Sequence, residues 1–181
     1  RVAVSAAHAL GEVSSWLTEA MVGAAHDAHG PFAHALAAAI ASHGGMKPAT
    51  ERDLERLVAK QHEQAAQSAE ATAAYIRASK KDTGHLATFE DLARLLRPAP
   101  GRALFDALFR IADLREDNLT VLREAAELAV ASLDDDSAVR SGLDRTYREA
   151  ARQWKRGAPE GDHSAGPHAT WALEHLVGMY E

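Results

Sequence analysis

Residues 119–133, which read LTVLREAAELAVASL, decide the fold class. Their apolar side chains recur at intervals of three and four, the spacing that collects residues on one face of an α-helix. The members of this face are Leu119, Leu122, Ala126, Ala129 and Leu133. The same spacing returns after the aspartates at 134–136, with Val139, Leu143, Tyr147, Ala150 and Trp154. Each stretch predicts an amphipathic helix that buries one face.

Further helices are predicted on both sides of these two, separated by Gly and Pro residues. The predicted spans are 2–29, 31–43, 51–80, 89–97, 102–114 and 167–180. Thr50 with Asp53, and Thr88 with Asp91, have the spacing of N-terminal capping pairs. The aspartates at 134–136 are predicted to end one helix and to favour the start of the next. They do not match the ligand positions of a calcium-binding EF-hand.

The composition also favours helices. Among 181 residues there are 40 alanines and 19 leucines but nine valines and three isoleucines, and this balance suits helices better than strands. We expect an all-α bundle of the up-and-down type, with about six to eight helices in one domain over residues 1–181. Residues 98–101, Pro-Ala-Pro-Gly, mark a candidate boundary if the chain forms two subdomains instead. Because the sequence starts at Arg1 without Met, we expect an excerpt of a longer polypeptide or a processed product.

Several classes of function are excluded or disfavoured by the composition. The chain has no cysteine, so disulfides, thiolate nucleophiles and Cys-containing zinc sites are ruled out. A formal net charge of −6 opposes broad adhesion to nucleic acid or to anionic membranes. The longest apolar run, Ala35–Ala41, is too short to span a bilayer, and no phosphate-binding loop or Ser-hydrolase motif occurs. We expect a cytoplasmic protein without a membrane partner.

Ten histidines raise the question of a metal site. No His-Glu-x-x-His motif is present, nor are there Glu-x-x-His pairs on two helices as a di-iron bundle requires, so zinc-protease and di-iron sites are disfavoured. His8, Glu12, Glu19 and His26 do form a stripe along the first predicted helix. The stripe lies opposite that helix's apolar face, so it is interpreted as a solvated surface, with a polar ligand site as the alternative. We expect no bound metal and no other cofactor.

His62 stands at the margin of the apolar face predicted for 51–80. It is interpreted as a histidine satisfied by a neighbouring helix, and proton transfer is the alternative. Arg56 and His62 also have a spacing that resembles the Arg and His pair of the helical HEPN ribonucleases. The pairs Arg1–His8 and Arg156–His163 have similar spacings, so this resemblance discriminates weakly.

The most coherent surface signal is a row of cations on the helix predicted over 139–156. Its members, spaced by three, four and three, are Arg145, Arg148, Arg152 and Lys155. Residues 140–156 carry six basic and two acidic side chains, whereas the rest of the chain has a net charge of −10. Such an asymmetry can steer an acidic protein or a phosphate-bearing ligand to the row. A solvated face balanced by the acidic remainder of the chain is the plainer interpretation.

The leading expectation is a non-enzymatic helical domain for protein interaction or regulation within a larger protein or complex, with a protein partner or a second copy bound through exposed helix faces. The alternative is a small helical enzyme or ligand-binding bundle that uses His62 or the His8 to His26 stripe, with a HEPN-like ribonuclease included. No residue is assigned as catalytic, and the enzyme question stays open with a preference against it.

Overall fold

The computed structural model describes residues 48–157 and 164–179. Within these ranges there are seven α-helices and no strand, which confirms the prediction of an all-α helical bundle. The helices are α1 (Pro48–Gln64), α2 (Ser68–Lys81), α3 (Leu86–Leu96), α4 (Arg102–Leu114), α5 (Leu119–Ser132), α6 (Asp136–Gly157) and α7 (Gly166–Gly178). The helices predicted over 2–29 and 31–43 lie outside the described residues. None of the described helices is long and apolar enough to cross a membrane.

The chain divides into two compact units, Arg1–Asp91 and Leu92–Glu181, and the division falls within α3. Compactness alone does not establish independent folding. The predictions of a single domain and of a candidate boundary at 98–101 therefore stay predictions.

In the first unit, α1 and α2 form a helical hairpin where the sequence predicts one continuous helix over 51–80. That prediction is wrong because the chain reverses at residues 65–67, where Ala66 has a φ of 57°. The amide of Gln67 donates to the carbonyl of His62 at 2.9 Å and closes the turn. Folding back lets two short apolar faces bury each other, which a single straight helix could not do.

The hairpin has a core made largely of small side chains. The buried residues of α2 are Ala71, Ala74, Tyr75 and Ala78, and the buried apolar residues of α1 are Leu54, Leu57 and Ala59. Alanines at a contact let two helix axes approach closely. The hydroxyl of Tyr75 lies 2.8 Å from Oε1 of Glu63, so the largest buried side chain of the hairpin has a polar partner across the turn.

Two predicted helix starts are corrected by the structure. Helix α1 begins at Pro48, so Thr50 is buried inside the helix and does not cap it. Proline suits the first helical position because its fixed φ is helical and its missing amide is not needed there. Helix α3 begins at Leu86 rather than at 89, and Nδ1 of His85 lies 2.9 Å from the hydroxyl of Thr88 in its first turn.

In the second unit, α4 packs on α5, α5 on α6 and α6 on α7. Helix α4 has the predicted bounds, Arg102–Leu114. Asp135 caps α6, because its Oδ1 accepts from the amides of Ser137 and Ala138 at 3.0 and 3.1 Å. This geometry confirms the interpretation of the three aspartates as a helix stop followed by a helix start.

The contact between α5 and α6 is close at Gly142. A Cβ added there would lie 3.1 Å from the Cα of Ala126 on α5, which is tighter than ordinary van der Waals contact. The neighbouring Leu143 is fully buried in a cluster with Ala126 and Ala172. Small residues on α5 and α7 thus leave room for one large side chain of α6.

Candidate functional site

All four residues of the basic row lie on α6, within the part of the chain that the structure describes. Arg145, at its N-terminal end, is turned toward α4. Its guanidinium is 2.5 Å from a carboxylate oxygen of Asp113 and 4.9 Å from the ring centroid of Phe109. An arginine held by a carboxylate and an aromatic face contributes to packing between helices. Arg145 therefore belongs to the structure of the second unit more than to an open surface.

Arg148 and Arg152 differ from Arg145 in exposure. Their side chains are 72% and 60% exposed, and each forms an ion pair within α6, Arg148 with Asp144 at 3.0 Å and Arg152 with Glu149 at 2.7 Å. The exposed Arg148–Asp144 pair contributes about 0.3–0.5 kcal/mol, so little free energy is lost when Arg148 turns to another anion. Arg152 instead pairs with a buried carboxylate, because Glu149 is only 9% exposed. Lys155 is exposed one turn further along. The open part of the row, which we call its C-terminal half, thus consists of Arg148, Arg152 and Lys155.

Trp154 lies in the same part of α6, about 160° around the helix from Arg152, and corrects another prediction. It continues the apolar face of α6, yet its side chain is 50% exposed. Ala150 is the last buried residue of α6, and the helix continues to Gly157 beyond it. The apolar periodicity of α6 therefore continues to Trp154, whereas the burial of this face ends at Ala150.

A shallow groove of about 790 Å³ lies between α6 and the end of α7. Its lining consists of Asp136, Ser137, Arg140, Ser141, Asp144, Arg148 and Leu176. On α7, Leu173 and Val177 stand one turn apart and are 47% and 50% exposed. The sequence analysis missed this surface, although the apolar residues of the last helix are spread over more than one face and signal it.

His62 is placed at the turn of the first hairpin. Its Nδ1 lies 2.7 Å from Oε1 of Gln67, the residue that leads into α2. The Arg56 side chain instead pairs with Asp91 at 2.9 Å. Six residues separate Arg56 from His62, which turns them about 120° apart around α1. The structure thus gives His62 a partner at the hairpin turn and directs Arg56 to α3.

The other predicted polar residues, His8, Glu12, Glu19 and His26, lie outside the described residues. Their interpretation as a solvated face or a ligand site stays a prediction. In the part of the chain that the structure describes, no group of three or more His, Cys, Asp or Glu side chains could hold a metal ion.

A charged network at the end of the first hairpin was not predicted. The guanidinium of Arg52 bonds both oxygens of Asp53, at 2.8 and 2.9 Å, and also pairs with Asp82 on the loop after α2. The amide of Gly84 donates to Asp82 at 2.9 Å. This amide, with Arg52, holds the pKa of Asp82 below its usual value. The network fastens the start of α1 to the end of α2.

His85 lies at the edge of the same network. Its partial burial, and the positive charges of Arg52 and Arg56, lower the pKa of its imidazole. The negative charges of Asp53 and Asp82 raise this pKa and so oppose part of the shift. The imidazole is therefore neutral near pH 7 and can hydrogen-bond Thr88 at the start of α3. The described partners give the network a structural role, since each arginine faces a carboxylate.

A second histidine with a lowered pKa, His168, lies at the start of α7. Its Nδ1 is 3.4 Å from Nη1 of Arg123 on α5. Partial burial and the Arg123 charge lower the pKa, while Glu127 opposes the shift. Arg123 also lies over the ring of Trp171, 4.7 Å from its centroid. Trp171 is thus partly buried and contacts Arg123 of α5.

Comparison with known proteins gives no match, whether with family models, with curated proteins or with solved structures. The functional interpretation therefore depends on the chain's own residues.

Proposed function

We propose that the chain is a non-enzymatic helical domain for protein interaction or regulation within a larger protein or complex, and that the C-terminal half of the α6 basic row docks an acidic surface of a partner protein. The observation that carries the proposal is the exposure of Arg148 and Arg152, at 72% and 60%, in pairs that are confined to one helix. The cytoplasmic location expected from the sequence is part of the same proposal.

Electrostatics support an acidic partner. Residues 140–156 have a net charge of +4 in a chain whose remaining residues have −10. A concentrated positive patch on an acidic protein orients an incoming anion toward one surface and accelerates association at low salt.

The enzymatic alternative has less support in the described residues. His62 is bonded to Gln67 at a turn, and Arg56 is directed to Asp91 on another helix. The resemblance to the HEPN ribonucleases has no support beyond the spacing of Arg56 and His62.

The test compares three versions of the 181-residue chain. The first is wild type, and the second carries Arg152→Gln and Lys155→Glu, which removes three units of positive charge while Gln can still donate to Glu149. The control carries Lys60→Glu and Arg115→Gln, the same change in charge at two exposed positions elsewhere. Each version is immobilised and exposed to an extract of its source cells, and the bound proteins are quantified. Any protein that distinguishes the versions is purified and titrated directly.

We expect at least one purified protein that binds wild type and control with equal affinity and binds the Arg152→Gln, Lys155→Glu protein about tenfold or more weakly. Its affinity should fall as salt rises, because exposed charges are screened. If all three versions retain the same proteins with the same affinities, the basic row is not a docking surface and the proposal is wrong.

A further inference from the structure

The groove between α6 and α7 has an ordered pattern of charge along its α6 wall. Asp136, Arg140, Asp144 and Arg148 follow one another at intervals of four residues, so their signs alternate as minus, plus, minus, plus. Residues four apart lie on one ridge of a helix, which makes these four side chains a continuous row. We call this row the alternating strip.

The alternating strip is complementary to its own reverse. A second copy related by a two-fold axis presents the same four residues in the opposite order. Asp136 then faces Arg148 of the second copy, and Arg140 faces Asp144 of the second copy. Each acid meets a base in both halves, so one surface supplies both sides of the contact. A partner with a single sign of charge would repel half of the strip.

The surface around the strip suits the approach of another helix pair. Ser137 and Ser141 line the groove beside the charges and, being small, permit close contact. Leu176 forms the opposite wall, and the half-exposed Leu173 and Val177 continue from it along α7. A two-fold axis that brings α6 onto its copy also brings α7 toward its copy. Leu173 and Val177 of one copy can then be buried against the same two residues of the second copy at the centre of the contact.

We propose that the α6 and α7 face is a homodimer interface, with the two α6 helices antiparallel and held in register by the alternating strip. The occupant of the groove is a second copy of this chain. The inference shares Arg148 with the acidic-partner proposal above, but the two are tested separately: the docking test changes Arg152 and Lys155, whereas the dimer test changes other residues of the purified chain.

The test measures the mass of the 181-residue chain by sedimentation over a range of concentrations. A monomer has 19.4 kDa, and the wild type is expected to reach twice that mass as concentration rises. Arg140→Glu places two acids opposite each other at the centre of the strip and should weaken the dimer about tenfold or more. The charge swap, Arg140→Glu with Asp144→Arg, reverses both signs and should restore dimerisation. Lys60→Glu, at an exposed position of the first unit, serves as the control and should leave it unchanged.

Leu173→Ser with Val177→Ser tests the apolar part, and we expect a dimer about tenfold weaker with an unchanged helical circular dichroism spectrum. Two results would overturn the proposal. One is a wild type that stays monomeric up to about 100 µM, a concentration that populates specific dimers of even modest affinity. The other is a charge swap that is as impaired as Arg140→Glu alone, since the antiparallel register requires the swap to rescue.

Discussion

Ala66→Gly should stabilise the protein, although glycine destabilises most helical chains. Ala66 has a φ of 57° at the turn between α1 and α2, in the left-handed region that Cβ disfavours. Removing the Cβ relieves a cost of roughly 1–2 kcal/mol for an L-residue in this region. Glycine loses about 0.5–1 kcal/mol more in backbone entropy on folding than alanine does. The free energy of unfolding should therefore rise by about 0.5–1 kcal/mol, the difference of these two effects.

The matched control is Ala73→Gly, at an exposed position inside α2. There glycine relieves no strain and should lower the free energy of unfolding by about 1 kcal/mol. Urea unfolding followed by helical circular dichroism separates the two variants, and their melting temperatures should differ in the same order. If residues 51–80 formed one continuous helix, Ala66→Gly would destabilise as Ala73→Gly does. Equal losses for the two variants would refute the hairpin.

Two further predictions concern the second unit. Leu143→Ala removes a fully buried side chain and should lower the free energy of unfolding by about 2–5 kcal/mol, measured in urea, whereas a loss under about 1 kcal/mol would contradict the core position. The pKa of His168 is lowered from its ordinary value of 6.5, so the unfolded chain binds more protons than the folded chain below that pH. Stability should consequently fall as pH drops through 6.5, and His168→Gln should make the urea midpoint depend less on pH between 7.5 and 5.5. An unchanged dependence in His168→Gln would show that other groups cause the acid sensitivity.

The helices of the second unit could be predicted from the sequence because their limits are encoded locally. Helix α4 follows Pro98-Ala99-Pro100-Gly101 and has the predicted bounds. Helix α6 begins after an aspartate whose carboxylate caps it. Proline, glycine and a capping aspartate act within a few residues of their own position, so a sequence pattern is sufficient to find them.

The first hairpin could not be predicted in this way, because no local signal marks its turn. Residues 65–67 are Ala-Ala-Gln, and the helical periodicity on both sides is compatible with one long helix. The reversal is stabilised by contacts between α1 and α2 and by the bonds of His62 and Arg52 to residues beyond the turn. These contacts exist only after folding, so tertiary packing overrides local preference at Ala66.

The candidate site was predictable in position but not in its partners. Periodicity places Arg145, Arg148 and Arg152 near one face of α6, and the structure has them on that helix. Periodicity does not show that Arg145 reaches Asp113 on α4, because that contact depends on how two helices pack. Nor does it show that Trp154 lies beyond the last buried turn. Sequence patterns thus locate a face, whereas the neighbouring helices decide which of its side chains remain open.

The exposure of Leu173 and Val177 has a particular meaning in a chain rich in alanine. With 40 alanines among 181 residues, much of the apolar content consists of side chains too small to bury much surface each. Fully burying a Leu or Val contributes about 1.5–3 kcal/mol, so two half-exposed residues one turn apart forgo a useful part of that free energy. Leu176, the neighbour of Val177 in the sequence, lines a groove whose row of charges is complementary to its own reverse. Association of two copies would recover the apolar burial and pair the charges in a single contact, and this coincidence favours the α6 and α7 face as the place where the chain meets a second copy.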